Sequence, residues 1–311
     1  MSPVKTQKLR LYRRRKRGSM NENRLQAPRL LIGPLLFLCL MFAAGPMASA
    51  APTVRGQEAD RRQDLSRQEL LSRLASGDEE QRIDSAVRLG ALLRDESGAI
   101  ETSVITTLSR VLQRDSSPVV RALAAMALEI CAGRHADSRT SDRSDEAVAA
   151  LLAALENEQD LAARKAIIYA LARYPQPRVT SALIPFLKNK RSELRAAAAY
   201  ALAESGDPAS AQALTEVLRR SGKDEDAFAR TQAVRGLGRF GGHDSIDILT
   251  NALSDDSSQE VRREAAISLG RIATLQDTKA IEALRKATLS NDPYLVSAAE
   301  SAIASVNSRN P

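Results

Sequence analysis

Apolar residues along this chain recur in two alternating patterns, both with the spacing of three and four residues that places side chains on one face of an α-helix. The first pattern (helix A) is a simple apolar stripe, as in residues 104–112. The second (helix B) begins at an arginine, with apolar positions one residue before it and three, four and seven residues after it, as in residues 120–128. Neither helix is apolar enough to be stable alone, which predicts that the helices pack in pairs.

The helix B pattern returns through most of the chain at intervals of 31 to 43 residues. It starts at Arg82, Arg121, Arg164, Arg195, Arg230 and Arg262, and a seventh copy starts at Val296. Self-similarity at this period is typical of a solenoid of stacked helical hairpins. We therefore predict an all-α, right-handed α-solenoid of about seven hairpins over residues 65–307, followed by a short tail at 308–311. Such a fold offers an extended surface to a ligand.

Glycine and proline punctuate the pattern. Gly90, Gly238 and Gly270 follow the last leucine of their B helices, where a left-handed helix C-cap favours glycine, so we expect these helices to end there. Pro185 falls inside an A helix and predicts a kink. Two polar insertions, 133–145 and 221–226, are expected to be surface loops.

An acidic residue stands six positions before most of the register arginines. The pairs are Asp115 and Arg121, Glu158 and Arg164, Asp224 and Arg230, and Asp256 and Arg262, while Asn189 takes the acidic place before Arg195. The acid falls in the turn between helices A and B, where it can accept hydrogen bonds from helix amides and from an arginine. We interpret this ladder as structural and not as a charge relay.

The ladder, the period and the Ala-Ala-x-x-Leu-Gly ending at 265–270 together resemble HEAT repeats, most of all the phycobilisome-lyase-like type. The resemblance covers about residues 65–307. It implies that the ladder is structural and that the B helices line the inner, concave surface of the solenoid.

The first fifty residues have the composition of a secretory signal peptide. A basic segment precedes an apolar run at 30–44, and Ala48-Ser49-Ala50 provides a small-x-small cleavage site. The alternative is an uncleaved membrane anchor, but about 15 apolar residues fall short of the ~20 needed to span a bilayer. We expect residues 1–50 to be removed, residues 51–64 to form a polar leader, and the protein to be periplasmic or secreted, with no membrane insertion after cleavage.

Removal of the signal segment reverses the charge of the chain. Residues 1–29 hold ten Lys or Arg against one acid and 30–50 hold no charge, so the net charge falls from +7 to −2. The mature chain therefore lacks the basic surplus that nucleic-acid binding needs. Its single cysteine, Cys131, allows no intramolecular disulfide, and we expect a monomer.

The sequence offers little to an enzyme. Its two histidines, His135 and His243, lie in predicted loops, whereas a metal site needs three or four convergent ligands. Some HEAT-like proteins resemble deoxyhypusine hydroxylase, whose iron site uses His-Glu pairs, and this chain has no His-Glu dipeptide. We predict no catalytic residue, no metal and no cofactor.

The best candidate for function is a column of residues five positions after each register arginine, which we call the +5 column. It comprises Val87, Met126, Tyr169, Tyr200, Arg235, Ile267 and Ser301. We expect Met126, Tyr169, Tyr200, Arg235 and Ile267 to contact a protein partner, with the two tyrosines roughly 10 Å apart, one helix spacing. The alternative is that the column packs between neighbouring B helices.

These patterns favour a non-catalytic, extracytoplasmic scaffold that binds a protein of unknown identity on its concave face. Two other functions fit the same fold. One is an enzyme accessory or lyase-like chaperone, which a bound chromophore or cofactor would favour. The other is a structural component of the cell envelope.

Overall fold

The computed structural model describes residues 65–95, 100–132, 141–219 and 226–309, and within these ranges the chain forms seven pairs of α-helices. The A helices are α1 (Arg67–Ser76), α3 (Thr102–Arg114), α5 (Ser141–Asn157), α7 (Pro177–Leu183), α9 (Ala209–Arg219), α11 (Ile246–Asp255) and α13 (Thr278–Ala287). The B helices are α2 (Glu79–Asp95), α4 (Pro118–Ala132), α6 (Leu161–Leu171), α8 (Ser192–Ser205), α10 (Ala227–Phe240), α12 (Gln259–Ile272) and α14 (Pro293–Arg309). The predicted helical solenoid of seven hairpins is confirmed.

A continuous core runs between the two helix layers because each helix buries one apolar face against its own pair and the next. Successive B helices contact one another all along the series, α2 to α4 and so on to α14. Their buried positions are rich in alanine, as at Ala197, Ala198 and Ala201 of α8, which are fully buried. Small side chains let neighbouring helices approach closely, so the B layer is tightly packed.

Gly238 and Gly270 serve this close approach, and the prediction that Gly90, Gly238 and Gly270 end their helices is wrong. Among the described glycines only Gly206 and Gly242 have positive φ, and α10 and α12 continue beyond Gly238 and Gly270. A Cβ on Gly238 would lie 2.4 Å from the Cβ of Ser268, and one on Gly270 would lie 2.7 Å from the Cα of Ala302. Both contacts are with the next B helix.

Helix ends follow local chemistry. Ser66 and Glu69 form a reciprocal capping box at the start of α1, and Asp160 accepts a hydrogen bond from the Ala163 amide at the start of α6. Gly206 ends α8 in the left-handed conformation. The α-helix α7 ends at Leu183 and the chain continues as a 3-10 helix, Ile184–Lys188, consistent with the break expected at Pro185.

The boundaries of the repeat region differ from prediction at two places. Residues 141–145, assigned to a polar loop, belong to α5. The last helix includes residues 308 and 309, assigned to a tail, and Arg309 donates hydrogen bonds to the carbonyls of Gly270 and Ala273, at 2.7 and 2.8 Å. The predicted signal peptide, the polar leader, Asp224 and His135 lie outside the described residues.

Candidate binding surface on the B helices

The register arginines connect neighbouring hairpins. Arg121 donates from Nε and Nη2 to the two carboxylate oxygens of Glu158 in the next hairpin, at 2.7 and 2.8 Å. Its Nη1 donates to the backbone carbonyl of Asp115 at 2.8 Å. Asp115 accepts from a helix amide and from an arginine, as predicted, but that arginine is Arg82 of the preceding hairpin and not Arg121. The six-residue spacing brings the guanidinium to the turn carbonyl, and the long side chain then reaches the next hairpin's acid.

The same bidentate hydrogen bonding, from two arginine nitrogens to the two carboxylate oxygens, joins Arg82 to Asp115 and Arg230 to Asp256. The acids also accept from turn amides, as Asp256 does from the Ser258 amide at 2.8 Å. Arg230 and Asp256 each have only 4% of the side chain exposed. The partner assigned to Arg230 from the sequence was Asp224, which lies outside the described residues. Within them, the carboxylate that accepts from Arg230 is that of Asp256.

Two register arginines, Arg164 and Arg262, do not make this contact with a carboxylate of the next hairpin. Arg164 faces the hairpin that carries Asn189 in place of an acid, and its buried Nε has no hydrogen-bond partner among the described residues. Arg262 donates to the Asp256 carbonyl at 2.6 Å, while the neighbouring Arg263 takes the carboxylate of Asp292 at 2.8 and 2.9 Å. Arg195 donates to the carbonyl of Asn189 at 3.0 Å.

These contacts fit a structural role for the ladder. Hydrogen bonds from Arg121 hold the pKa of Glu158 below its ordinary value, so this carboxylate stays ionised. Both groups are largely buried and each satisfies the other. A buried ion pair of this geometry fixes the register between hairpins, and loss of one partner leaves an uncompensated charge.

The +5 column lies at the surface of the B helices. Val87 and Ile267 are exposed, with 53% and 39% of their surface accessible. Met126, Tyr169, Tyr200 and Arg235 are half-buried, and Ser301 is exposed. The column thus combines partial packing against the core with access from solvent, which is the environment of an interaction surface and also of an ordinary helix seam.

Tyr169 and Tyr200 form the centre of the column. Their rings pack edge to face with centroids 5.3 Å apart, closer than the helix spacing predicted from the sequence, because the side chains lean towards each other across α6 and α8. Neither hydroxyl forms a hydrogen bond with any described residue. Burial raises the pKa of both tyrosines, so both remain protonated donors at neutral pH.

Charged side chains flank this aromatic pair. Arg235 is held by Glu264 of the next B helix at 3.3 Å, so the guanidinium that was expected to meet a partner is shared with this carboxylate. Glu204 is paired with Arg239 at 2.9 Å. Lys165 and Arg173, by contrast, form no ion pair with any side chain in the described ranges, and Arg173 is exposed.

Glu129 is a residue that the sequence patterns missed. It lies three positions after Met126, on the same face of α4, so the helical spacing could have identified it. Burial raises its pKa to about 7, although Arg173 and Arg94 oppose the shift. We call Lys165, Tyr169, Arg173 and Tyr200, with Glu129 beside them, the tyrosine centre.

Other chemistry-bearing groups are scattered. His243 is exposed and its Nε2 lies 3.4 Å from Asp277. Cys131 is fully buried, as expected of a small apolar side chain. Over the described part of the chain no group of three or more His, Cys, Asp or Glu side chains could hold a metal ion. None of the helices in the same part is long and apolar enough to span a membrane.

Comparison with known proteins decides the family. A model of HEAT repeats matches residues 148–229 and 217–304, which together span half of the chain. The chain belongs to the HEAT repeat family. The resemblance read from the ladder and the period is thereby confirmed, and the B helices of this HEAT protein carry the +5 column.

Deoxyhypusine hydroxylase of Arabidopsis thaliana is 26% identical over 141 residues, 45% of this chain and 44% of the relative. The matched segment thus spans less than half of that curated protein. The X-ray structure of Escherichia coli YibA has a TM-score of 0.50 and 18% identity, covering 82% of this chain and 88% of YibA. The CpcE and CpcF complex of phycocyanin lyase from Nostoc has 21% identity and a TM-score of 0.43, covering 80% and 79%.

Proposed function

We propose that this HEAT repeat protein is a non-catalytic scaffold that works outside the cytoplasm and binds a protein partner along the B-helix surface, the concave side of the solenoid. One observation carries the proposal: two half-buried tyrosines at the middle of the +5 column present hydroxyls that have no partner in the described structure. Half-buried tyrosine with an unsatisfied polar end is typical of binding hot spots.

The packing of the helices supports the choice of surface. Neighbouring B helices approach so closely that a Cβ on Gly236 would lie 2.9 Å from the Cβ of Ala203. The inner side of a solenoid offers contacts from several repeats at once. Val87 and Ile267 extend the exposed column towards the two ends of the described solenoid.

Site-specific photo-crosslinking tests the surface. A photoreactive amino acid is placed at Ile267 in the +5 column, and in a control protein at Gln212, an exposed position on the A helix α9. Crosslinking in the native host should give a discrete adduct from position 267 and none from position 212. An adduct from 212 alone would move the binding surface to the A helices, and no adduct from either would contradict the scaffold role.

The hydroxylase relative suggests a second candidate, a metal-dependent enzyme. The residues present do not fit the iron site expected for such an enzyme, since the chain has two histidines in total and no His-Glu dipeptide. Elemental analysis of protein purified without chelators separates the two functions. We expect less than a tenth of an equivalent of iron per chain, and one or more equivalents of iron would contradict the non-catalytic role.

A further inference from the structure

The turn between helices A and B of the fourth hairpin has the most positive sequence of the seven such turns. Over residues 187–196, which we call the basic turn, four cations stand against one acid, a net charge of +3. The same ten register positions in the other six hairpins carry between −2, at 74–83, and +1, at 113–122. The charge of this turn is therefore a departure from the repeat.

Two replacements of acids create the surplus. Asn189 takes the place of the ladder acid, and Arg191 takes the N-cap position of α8, four residues before the register arginine. Every other hairpin has aspartate or serine at that N-cap position. In the two neighbouring hairpins it is Asp160 and Asp226, which accept hydrogen bonds from amides of their own helices at 2.9 and 3.1 Å. The fourth hairpin thus lacks two carboxylates that its neighbours have.

Most of the cations at the basic turn are not engaged. Lys188, Lys190 and Arg191 are exposed, and their side chains form no hydrogen bond or ion pair with any described residue. Arg164, which faces this turn from the preceding hairpin, likewise forms none, and its Nε is buried. Arg195 differs, since it donates to two carbonyls of the turn at 3.0 and 3.3 Å.

The nearby acids do not cancel this charge. Glu193 is the single acid of the basic turn, and its pKa lies below the usual value because its carboxylate accepts a hydrogen bond from its own backbone amide and because Lys165 and Arg191 attract it. The equivalent residues of the two neighbouring hairpins, 156–165 and 222–231, each sum to −1. The three turns together therefore keep a net charge of +1.

We propose that the basic turn, with Arg164 beside it, binds a phosphate group. A phosphate group carries about −1.5 to −2 charge and three strong acceptor oxygens, so one group brings the turn from +3 to about +1, within the range of the other turns. Guanidinium groups pair with two phosphate oxygens at once, and lysines add point charges. Lys188, Lys190 and Arg191 lie within four consecutive residues, a span of at most roughly 11 Å, so their side chains can reach one group.

This site lies on the edge of the solenoid formed by the turns and does not depend on the scaffold function or on the +5 column. A small phosphate compound and a polymer that carries phosphate groups share the same chemistry. The experiment below separates these two sources.

Thermal unfolding of the full chain, followed by circular dichroism, tests the proposal, because a ligand that binds only the folded solenoid raises Tm. The probes are inorganic phosphate, linear polyphosphate and, as a dicarboxylate, succinate, all at millimolar concentration and equal ionic strength. We expect phosphate to raise Tm by on the order of 2 °C and succinate to leave it almost unchanged. A larger rise with polyphosphate at the same phosphate content indicates a polymer, and an equal rise indicates a small compound.

Paired variants assign the effect to the basic turn. Lys190→Gln with Arg191→Gln should lose most of the rise in Tm. Arg285→Gln with Lys286→Gln is the matched control, since it removes the same two charges from exposed positions in the last turn of α13, and it should keep the rise. The circular dichroism spectrum verifies that each variant is folded.

Two single variants change the charge of the turn in opposite directions. Asn189→Asp returns the ladder acid and should reduce the rise with phosphate, while it raises Tm without ligand because Arg164 gains an acceptor. Glu193→Gln removes the acid that competes with the ligand and should increase the rise. A merely structural role for the turn would not separate the ligand response from the stability of the free protein in this way.

The absence of a rise with either phosphate probe would overturn the inference. An equal rise with succinate would overturn the assignment of phosphate. An equal loss in Arg285→Gln with Lys286→Gln would show that the cations act as a general screening charge and would overturn the assignment to the basic turn.

Discussion

Single residues account for the interruption of the ladder at Arg164. In an intact rung, one oxygen of the acid accepts from a turn amide and an arginine nitrogen, and the other accepts from Nε, as Asp115 does with Arg82. Asn189 keeps the first contact, accepting from the Arg191 amide at 3.0 Å. Its second terminal atom is an amide nitrogen, which cannot accept from Arg164.

We predict that Asn189→Asp stabilises the protein by about 1 kcal/mol, because the new oxygen gives the buried Nε of Arg164 an acceptor. Equilibrium urea unfolding measures the change. The same substitution in an Arg164→Met background is the control and should give no gain, since the double-mutant cycle isolates this contact. An equal gain in both backgrounds would show that the effect does not come from the ladder.

The protonation of Glu129 affects the stability of the protein. Its pKa in the folded protein, about 7, lies above the value of about 4.3 expected in the unfolded chain. The protonated form is therefore favoured by folding, and its contribution is complete below about pH 4 and is lost as pH rises through 7. We predict that Glu129→Gln is more stable than the parent at about pH 8, by on the order of 1 to 3 kcal/mol.

Urea unfolding at about pH 4, 6 and 8 checks this dependence, and the advantage of Glu129→Gln should shrink towards zero at the acid end. Glu282→Gln, an exposed glutamate on α13, is the matched control and should show little difference at any of these pH values. A gain for Glu129→Gln that does not vary with pH would contradict the assignment.

At the scale of the helices, the spacing of the B layer depends on glycine. A Cβ on Gly238 would meet the Ser268 side chain at 2.3 Å and its backbone at 2.9 Å, and backbone cannot move aside locally. Gly238→Ala should therefore cost about 1 to 3 kcal/mol of unfolding free energy by overpacking. Chemical denaturation of the purified variant measures the loss.

Gly90 is the matched control, since it lies in α2 and the nearest atom to an added Cβ is 3.8 Å away. Gly90→Ala should be neutral or stabilise the protein by up to about 1 kcal/mol, because alanine is the better helix former. Equal losses for the two variants would show that the close approach of α10 and α12 is not the cause.

At the scale of the whole molecule, the charge and the proposed location depend on the N-terminal segment. Its basic residues account for the difference between a net charge of +7 and one of −2. We predict that the exported protein begins at Ala51, which N-terminal sequencing or intact mass of the form isolated outside the cytoplasm determines. An N-terminus that retains residues 30–44 would instead show a membrane-anchored protein.

The sequence by itself determined the helices, the period of the hairpins and the position of the +5 column. These follow from the 3.6-residue turn of the helix. Local spacing is therefore sufficient to place Tyr169, Tyr200 and Ile267 on the same face of their respective B helices. The sequence also placed the acidic residues of the ladder in the turns between helices A and B. The same spacing could have identified Glu129, on the face of Met126, but only burial gives that carboxyl its raised pKa.

The tertiary structure decided which groups meet. Arg121 pairs with Glu158 and not with the side chain of Asp115. Gly238 lies against Ser268 of the next B helix and does not end its own helix. The rings of Tyr169 and Tyr200 contact each other across two neighbouring hairpins. Each of these depends on the distance and offset between neighbouring hairpins, which side-chain volumes along the whole interface set together. The spacing of residues within one repeat does not determine the offset between neighbouring hairpins.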